Sequence, residues 1–301
     1  MELNATSLAA LRVGFSKIYD DAFGDVPMLR DRIAETVPSM ASENVYEWLG
    51  DLEGMREWLG ERVVDNFETK DYRIKNRDFE KTVGVDRNHI EDDNIGSYSM
   101  RFRLLGKAAA DHPENLVWNA LKNGWTEKCY DGQNFFDTDH PVIAKDGETV
   151  NSVANTDGGA GEPWFLLATT GLIKPIIFQE RKKAMFDYLD DRKDQNVFMN
   201  RKFLYGVDAR YAVGYSFWQL AWGSRQELNA ANFEKARTAL GTMTADYGEP
   251  LSIDGNLLVV GPTQEGAARR LLTAEYAAGG ETNIWKGAAE MLKVQRLATA
   301  A

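Results

Sequence analysis

Residues 205–217 read YGVDARYAVGYSF, and their alternation decides how the rest of the chain is read. Tyr205, Val207, Ala209, Tyr211, Val213, Tyr215 and Phe217 fall on every second position, so one face of an extended segment is apolar throughout. Successive side chains of a strand point to opposite faces, and this period of two predicts a strand half-buried against a core. Downstream the period changes. Phe233, Ala236, Leu240 and Met243 recur at helical spacing behind Asn229, a good N-cap, and Leu228 with Phe233 forms a hydrophobic staple. A helix over 229–247 is predicted. Residues 256–272, NLLVVGPTQEGAARRLL, then predict a strand, a turn and a helix capped by Thr263.

Upstream, Leu8, Leu11, Phe15, Ile18 and Phe23 predict an amphipathic helix over 5–23, packed on its own domain or docked as an arm on a neighbour. A longer helix is predicted from about 97 to 123 by the stripe Phe102, Leu105, Ala109, Leu116 and Ala120. Pro113 either kinks it, or Asp111 caps a second helix with Glu114 completing a capping box. Between the two helices, Tyr72 and Ile74 alternate in one phase and Phe79, Val83 and Val85 in the other. Asn76, Arg77 and Asp78 then read as the turn of a highly charged hairpin. Residues 155–164, NTDGGAGEPW, read as a loop or domain junction. Helices and strands segregated in this way place the chain in the α+β class.

The 301 residues are enough to bury a substantial core, and 44% hydrophobic with 27% charged is ordinary for a soluble protein. A net charge of -11 argues against nonspecific nucleic-acid binding, which depends on Lys and Arg releasing counterions from phosphates. The N-terminus MELNATSLAA lacks a basic start and an apolar run, so no export signal is expected. The single Cys129 excludes an intrachain disulfide and reads as a small buried group.

Residues 132–141, GQNFFDTDHP, carry the densest group of candidate ligands: Asp137, Asp139 and His140. A hydrolytic metal site needs about three converging ligands and an open position. Neighbours in an extended segment point apart, so Asp139 and His140 converge only through a special turn. Asp residues with a His-Pro step also suit a tight polar turn behind the Phe135–Phe136 pair. Gly261 and Gly266 have phosphate-loop spacing, but Ala267 and Ala268 stand where Lys and Ser or Thr are required. No nucleophile elbow is present. The residues favour a structural role, with a metal-dependent hydrolase using Asp137, Asp139 and His140 as the alternative.

Seven segments, in order along nearly the whole chain, carry a family resemblance. They are YEWLGDLEGMREWLGERVV at 46–64, YRIKNRDFEKTVGVDRNHIEDDNIG at 72–96, AAADHPENLV at 108–117, CYDGQNFFDTDHPV at 129–142, YGVDARYAVGYSFWQLA at 205–221, LLVVGPTQEGAARRLL at 257–272 and GGETNIWKG at 279–287. The chain resembles the major capsid (major head) proteins of Mu-like tailed phages and prophages.

That resemblance implies a Hong Kong 97-like phage capsid fold of the α+β class. Residues 1–44 would form the N-terminal arm, 45–80 the extended loop hairpin, and 81–160 the peripheral domain with its spine helix near 97–123. Residues 161–280 would hold most of the axial domain, and 281–301 would return to the peripheral one. It implies a subunit with no catalytic residues, cofactor or metal, assembling with itself into pentamers and hexamers around double-stranded DNA. The DNA would be held without sequence-specific contact. A separate scaffold or protease, portal and decoration proteins are the further expected partners, and no membrane is involved. The expected place is the virion capsid, assembled in the host cytoplasm. Arg73, Lys75, Arg77 and Asp78 are the candidate intersubunit contacts, because a charged hairpin laid across a neighbour gains polar contacts that set register.

Overall fold

The computed structural model describes residues 4–49, 71–92, 94–277 and 279–298. The chain opens with α1 (Ala5–Gly24), capped by Asn4, whose side chain accepts the Ser7 N–H. It continues through β1 (Ala34–Pro38), β2 (Glu43–Val45), β3 (Arg73–Lys75), β4 (Arg77–Asp86), the short α2 (Arg87–Glu91) and α3 (Gly96–Asn123). Next come β5 (His140–Ile143), β6 (Val150–Val153), β7 (Thr156–Gly159), β8 (Trp164–Leu167), β9 (Ile176–Leu189), α4 (Gln195–Asn200) and β10 (Lys202–Tyr215). The last part holds β11 (Ala221–Arg225), α5 (Ala230–Gly241), β12 (Leu257–Val260), α6 (Glu265–Leu272) and β13 (Glu290–Lys293).

The predicted strand becomes β10, the spine of a four-stranded sheet ordered β1-β9-β10-β4. Its apolar face serves two cores. Phe203, Tyr205 and Val207 pack with Phe15 of α1 and Phe102 of α3, whose rings stack at 4.1 Å, while Ala209, Tyr211 and Tyr215 enter the larger core. The strand ends at Tyr215, and Phe217 precedes a 3-10 turn at Trp218–Leu220. The larger core underlies a five-stranded sheet, β13-β12-β8-β11-β7, flanked by α5 and α6. The four residues of β8 and the four of β12 are all buried, as expected of central strands covered on both faces.

α1 lies against α3 within the same chain. Gly106 permits the close approach: a Cβ there would sit 2.3 Å from the Tyr19 carbonyl oxygen. α3 runs through Pro113 as one helix, so Asp111 caps no second helix there. Asp111 instead pairs with Lys107 and Arg296.

Several expectations are corrected. β3 and β4 do not form a hairpin: β3 pairs with β2 as a separate two-stranded ribbon, and β4 pairs with β10. Asn76 is the buried joint between them rather than a turn. Residues 50–70 of the expected extended loop lie outside the described residues. Residues 156–159 are an edge strand rather than a loop, because Gly159 can approach the Arg225 backbone with no Cβ in the way. α5 stops at Gly241, after which the chain doubles back and Thr244 bridges Pro250. Thr263 does not cap α6; its hydroxyl bonds to Glu162. β7 and β13 belong to the five-stranded sheet, and β9 with β10 belong to the four-stranded one.

Candidate assembly surfaces

The four candidate contact residues sit where the β2–β3 ribbon meets the four-stranded sheet. Two have partners inside the chain. Arg73 donates to Asp71 at 2.6 and 3.0 Å and to Glu43 at 3.1 Å, which ties the two strands of the ribbon together. Asp78 faces Arg210 across the β4–β10 register at 3.3 Å. Lys75 and Arg77 line a groove of about 400 Å³ whose other wall is the C-terminal half of α3, through Asn119, Asn123 and the nearby Glu127. Neither has an ion-pair partner among the described residues. The groove offers three cations, of which Arg73 is paired within the ribbon, with two amides and the single carboxylate of Glu127, a balance suited to a carboxylate-bearing segment of a partner.

His112 closes the neighbouring stretch of α3. Its Nδ1 lies 2.8 Å from the Tyr211 hydroxyl, and its ring meets Phe79 at 4.4 Å. Burial first, and then the Arg77 charge, hold this imidazole below its ordinary value.

The GQNFFDTDHP stretch is a buried plug. Phe135 stacks on Tyr215 at 4.4 Å and Phe136 on Phe165 at 5.5 Å. Gly223 leaves room for the second ring, since a Cβ there would lie 2.8 Å from it. Asn155 organises the backbone around the plug, donating to the Phe135 and Trp218 carbonyls and accepting the Asp137 N–H at 2.9 Å. His140 bonds elsewhere than to its neighbouring aspartates. Its Nδ1 bonds to Asp131 at 2.6 Å, and its ring lies flat on Trp218 with centroids 4.0 Å apart. Asp137 accepts N–H groups of Asn134 and Thr138 in its own turn and pairs with the exposed Asp139 carboxyl, which is raised above its ordinary value by that contact, but His140 bonds to neither. Asp137, Asp139 and His140 therefore do not form one site, which overturns the geometry of the hydrolase alternative.

Sequence reading missed Asp131 and its link to Cys129. The thiol donates to Asp131 at 3.1 Å, and burial pushes its pKa well up. Cys129, Asp131 and His140 are, among the described residues, the donor group close enough for one metal ion, with atoms within 4.8 Å of one another. Two ligands on a tetrahedral ion stand about 3.3 Å apart given bonds of about 2.0 Å. The 2.6 Å between His140 and Asp131 is hydrogen-bond spacing. Burial, the largest influence, favours a protonated Asp131, but the bond and charge of His140, the Cys129 thiol and the Gln133 N–H together outweigh it and hold the carboxyl below its ordinary value. The cluster acts as a buried hydrogen-bonded brace.

The profile of the family described as Mu-like prophage major head subunit gpT matches residues 8–297. The chain belongs to that family. This head subunit is 37% identical over 289 residues to the major capsid protein of Escherichia phage Mu, covering 94% of this chain and 95% of the relative. It is 41% identical over 275 residues to the Mu-like prophage FluMu major head subunit of Haemophilus influenzae, covering 89% of each. Among solved structures it is similar to the procapsid of bacteriophage JBD30, with a TM-score of 0.84, 40% identity and coverage of 98% and 100%. It is also similar to the JBD30 capsid, with a TM-score of 0.78, 30% identity and coverage of 99% and 100%. The subunit thus has the Hong Kong 97-like capsid fold and is a major capsid protein of the virion rather than an enzyme. No helix among the described residues is long and apolar enough to cross a membrane.

Proposed function

We propose that this capsid subunit closes its shell as pentamers and hexamers, with the segment between β2 and β3 laid as an extended loop across a neighbouring copy. The observation carrying this reading is that the ribbon forms no backbone ladder with either main sheet and pairs Val45 with Arg73, so its two strands lie side by side where the chain leaves it and returns. Such a projection gains its contacts from another copy, and heterologous contacts of this kind generate rings. The four-stranded sheet with α1 and α3 serves as the peripheral domain. The five-stranded sheet with α5 and α6 serves as the axial domain, and now includes β7 and β13. Lys75 and Arg77 supply intersubunit contacts, while Arg73 and Asp78 shape the surface that presents them. A related JBD30 capsid is decorated with minor capsid protein trimers. A decoration protein is therefore a reasonable partner class for this shell, beside a scaffold or protease and a portal. The test is electron microscopy of particles from phage in which residues 50–70 are replaced by a Gly/Ser linker of equal length. Loss of closed shells with a folded subunit supports the reading, and normal shells overturn it.

A further inference from the structure

Gln179 is a fully buried amide in β9, opposite Val37 of β1 and Ala212 of β10, at a position where the neighbouring residues Ile176–Phe178 are apolar. Its side chain makes no bond within its own sheet. The amide nitrogen donates to the Ile74 carbonyl at 3.0 Å and to Asn76 Oδ1 at 2.8 Å, and the amide oxygen accepts the Tyr46 hydroxyl at 2.8 Å. One residue of the main sheet therefore grips both legs of the ribbon, the outgoing one at Tyr46 and the returning one at Ile74 and Asn76.

The grip extends through a closed network. Asn76 donates to Ser39 Oγ at 2.8 Å and to the Ala41 carbonyl at 2.9 Å, and Ser39 donates to Asn44 Oδ1 at 2.8 Å. Ser39, Tyr46 and Asn76 are buried like Gln179. An apolar side chain would fill the Gln179 position and cover the same area without directing anything, because hydrophobic contact is non-directional and hydrogen bonds are not. A buried polar network whose members are all satisfied rigidifies the segments it joins and favours one arrangement of them.

We propose that Gln179 is a positioning residue for shell assembly, which fixes the direction in which the ribbon leaves the subunit. The proposal rests on the reading of the 46–72 segment as the extended loop. The network holds the described root of that segment, at Tyr46, Ile74 and Asn76, so it matters for assembly more than for folding.

The test uses phage carrying Gln179→Met, which keeps the length and removes all three bonds. Amide exchange at Tyr46 and Asn76 in the free subunit is expected to rise at least tenfold. The yield of closed shells of normal diameter is expected to fall at least tenfold. A control variant in the other sheet, Leu257→Ala, chosen to lower the melting temperature at least as much, is expected to keep normal shell diameter. Normal shells from Gln179→Met overturn the proposal, as does an equal assembly defect in the control at matched melting temperature. Tyr46→Phe removes one hydroxyl and no packing, and is expected to lower closed-shell yield at least threefold. If Gln179→Met fails to fold, wild-type yield from Tyr46→Phe overturns the proposal. The Gly/Ser replacement of 50–70 separates the two readings. Normal shells there remove the loop reading itself, whereas loss there with normal shells from Gln179→Met removes the positioning role alone.

Discussion

Glu114 receives the backbone N–H of Arg30 on both carboxylate oxygens, at 3.0 and 3.1 Å, from the middle of a helix where it is fully buried. The same carboxylate accepts the Trp118 indole N–H at 2.9 Å. The pairing nails the approach to β1 onto α3. Glu114→Ala leaves two buried donors without acceptors and is expected to destabilise the subunit by about 3 kcal/mol. Thermal melting of the soluble subunit checks this; a change near zero would show that another group takes over both donors.

Gly106 sets the distance between α1 and α3. Gly106→Val places methyl groups against the Tyr19 backbone and is expected to cost about 3 kcal/mol, with α1 loosened from the body. Faster proteolysis near the N-terminus with β12 still protected from hydrogen exchange is the expected signature.

The Asp131–His140 pair makes the subunit sensitive to acid. Because the Asp131 carboxyl is held below its unfolded value, the pair's contribution is present above about pH 4 and is lost as pH falls below that. Asp131→Asn removes the charge and is expected to cost about 2 kcal/mol at neutral pH. Melting curves of the two proteins should converge on acidification. Parallel curves from pH 7 to pH 3 would show that the pair is not the acid-sensitive element.

Lys75 and Arg77 are predicted to act between subunits. Lys75→Glu with Arg77→Glu is expected to leave melting within about 0.5 kcal/mol, as for surface changes generally, and to reduce closed shells sharply. The conservative pair Lys75→Arg with Arg77→Lys should assemble. Normal shells after neutralising Arg73, Lys75, Arg77 and Asp78 together would remove these residues from the interface.

Cys129 is expected to resist alkylation in the native subunit, because it is buried and its thiol is held in the protonated form. Labelling with iodoacetamide at pH 8 should be at least tenfold slower than in denaturant. Rapid native labelling would mean that the 129–140 segment opens readily.

Much of this was legible in the chain. The period of two over 205–217 located the strand that the two larger cores share, and Asn229 with Leu228 and Phe233 located the start of α5. The ordered motifs, from YEWLG to NIWKG, were enough to name the family. Local patterns carry such information because burial of one face imposes its period on the residues that form it.

The remaining features depend on residues far apart in the chain. Nothing near Asn76 signals that it is a joint, because its partner Gln179 lies 103 positions away, and Glu114 reads as half of a capping box until Arg30, 84 positions away, is brought beside it. A period records which face is buried but not which strand or side chain meets it there. The sequence by itself determined α1, α3, β10, the start of α5 and the β12–α6 unit, and it determined the family. Only the tertiary structure decided that β3 leaves β4 for β2, that β7 and β13 join one sheet, and that His140 bonds to Asp131. Hydrogen bonds are directional and short, so their partners are settled only once packing has brought the chain segments together.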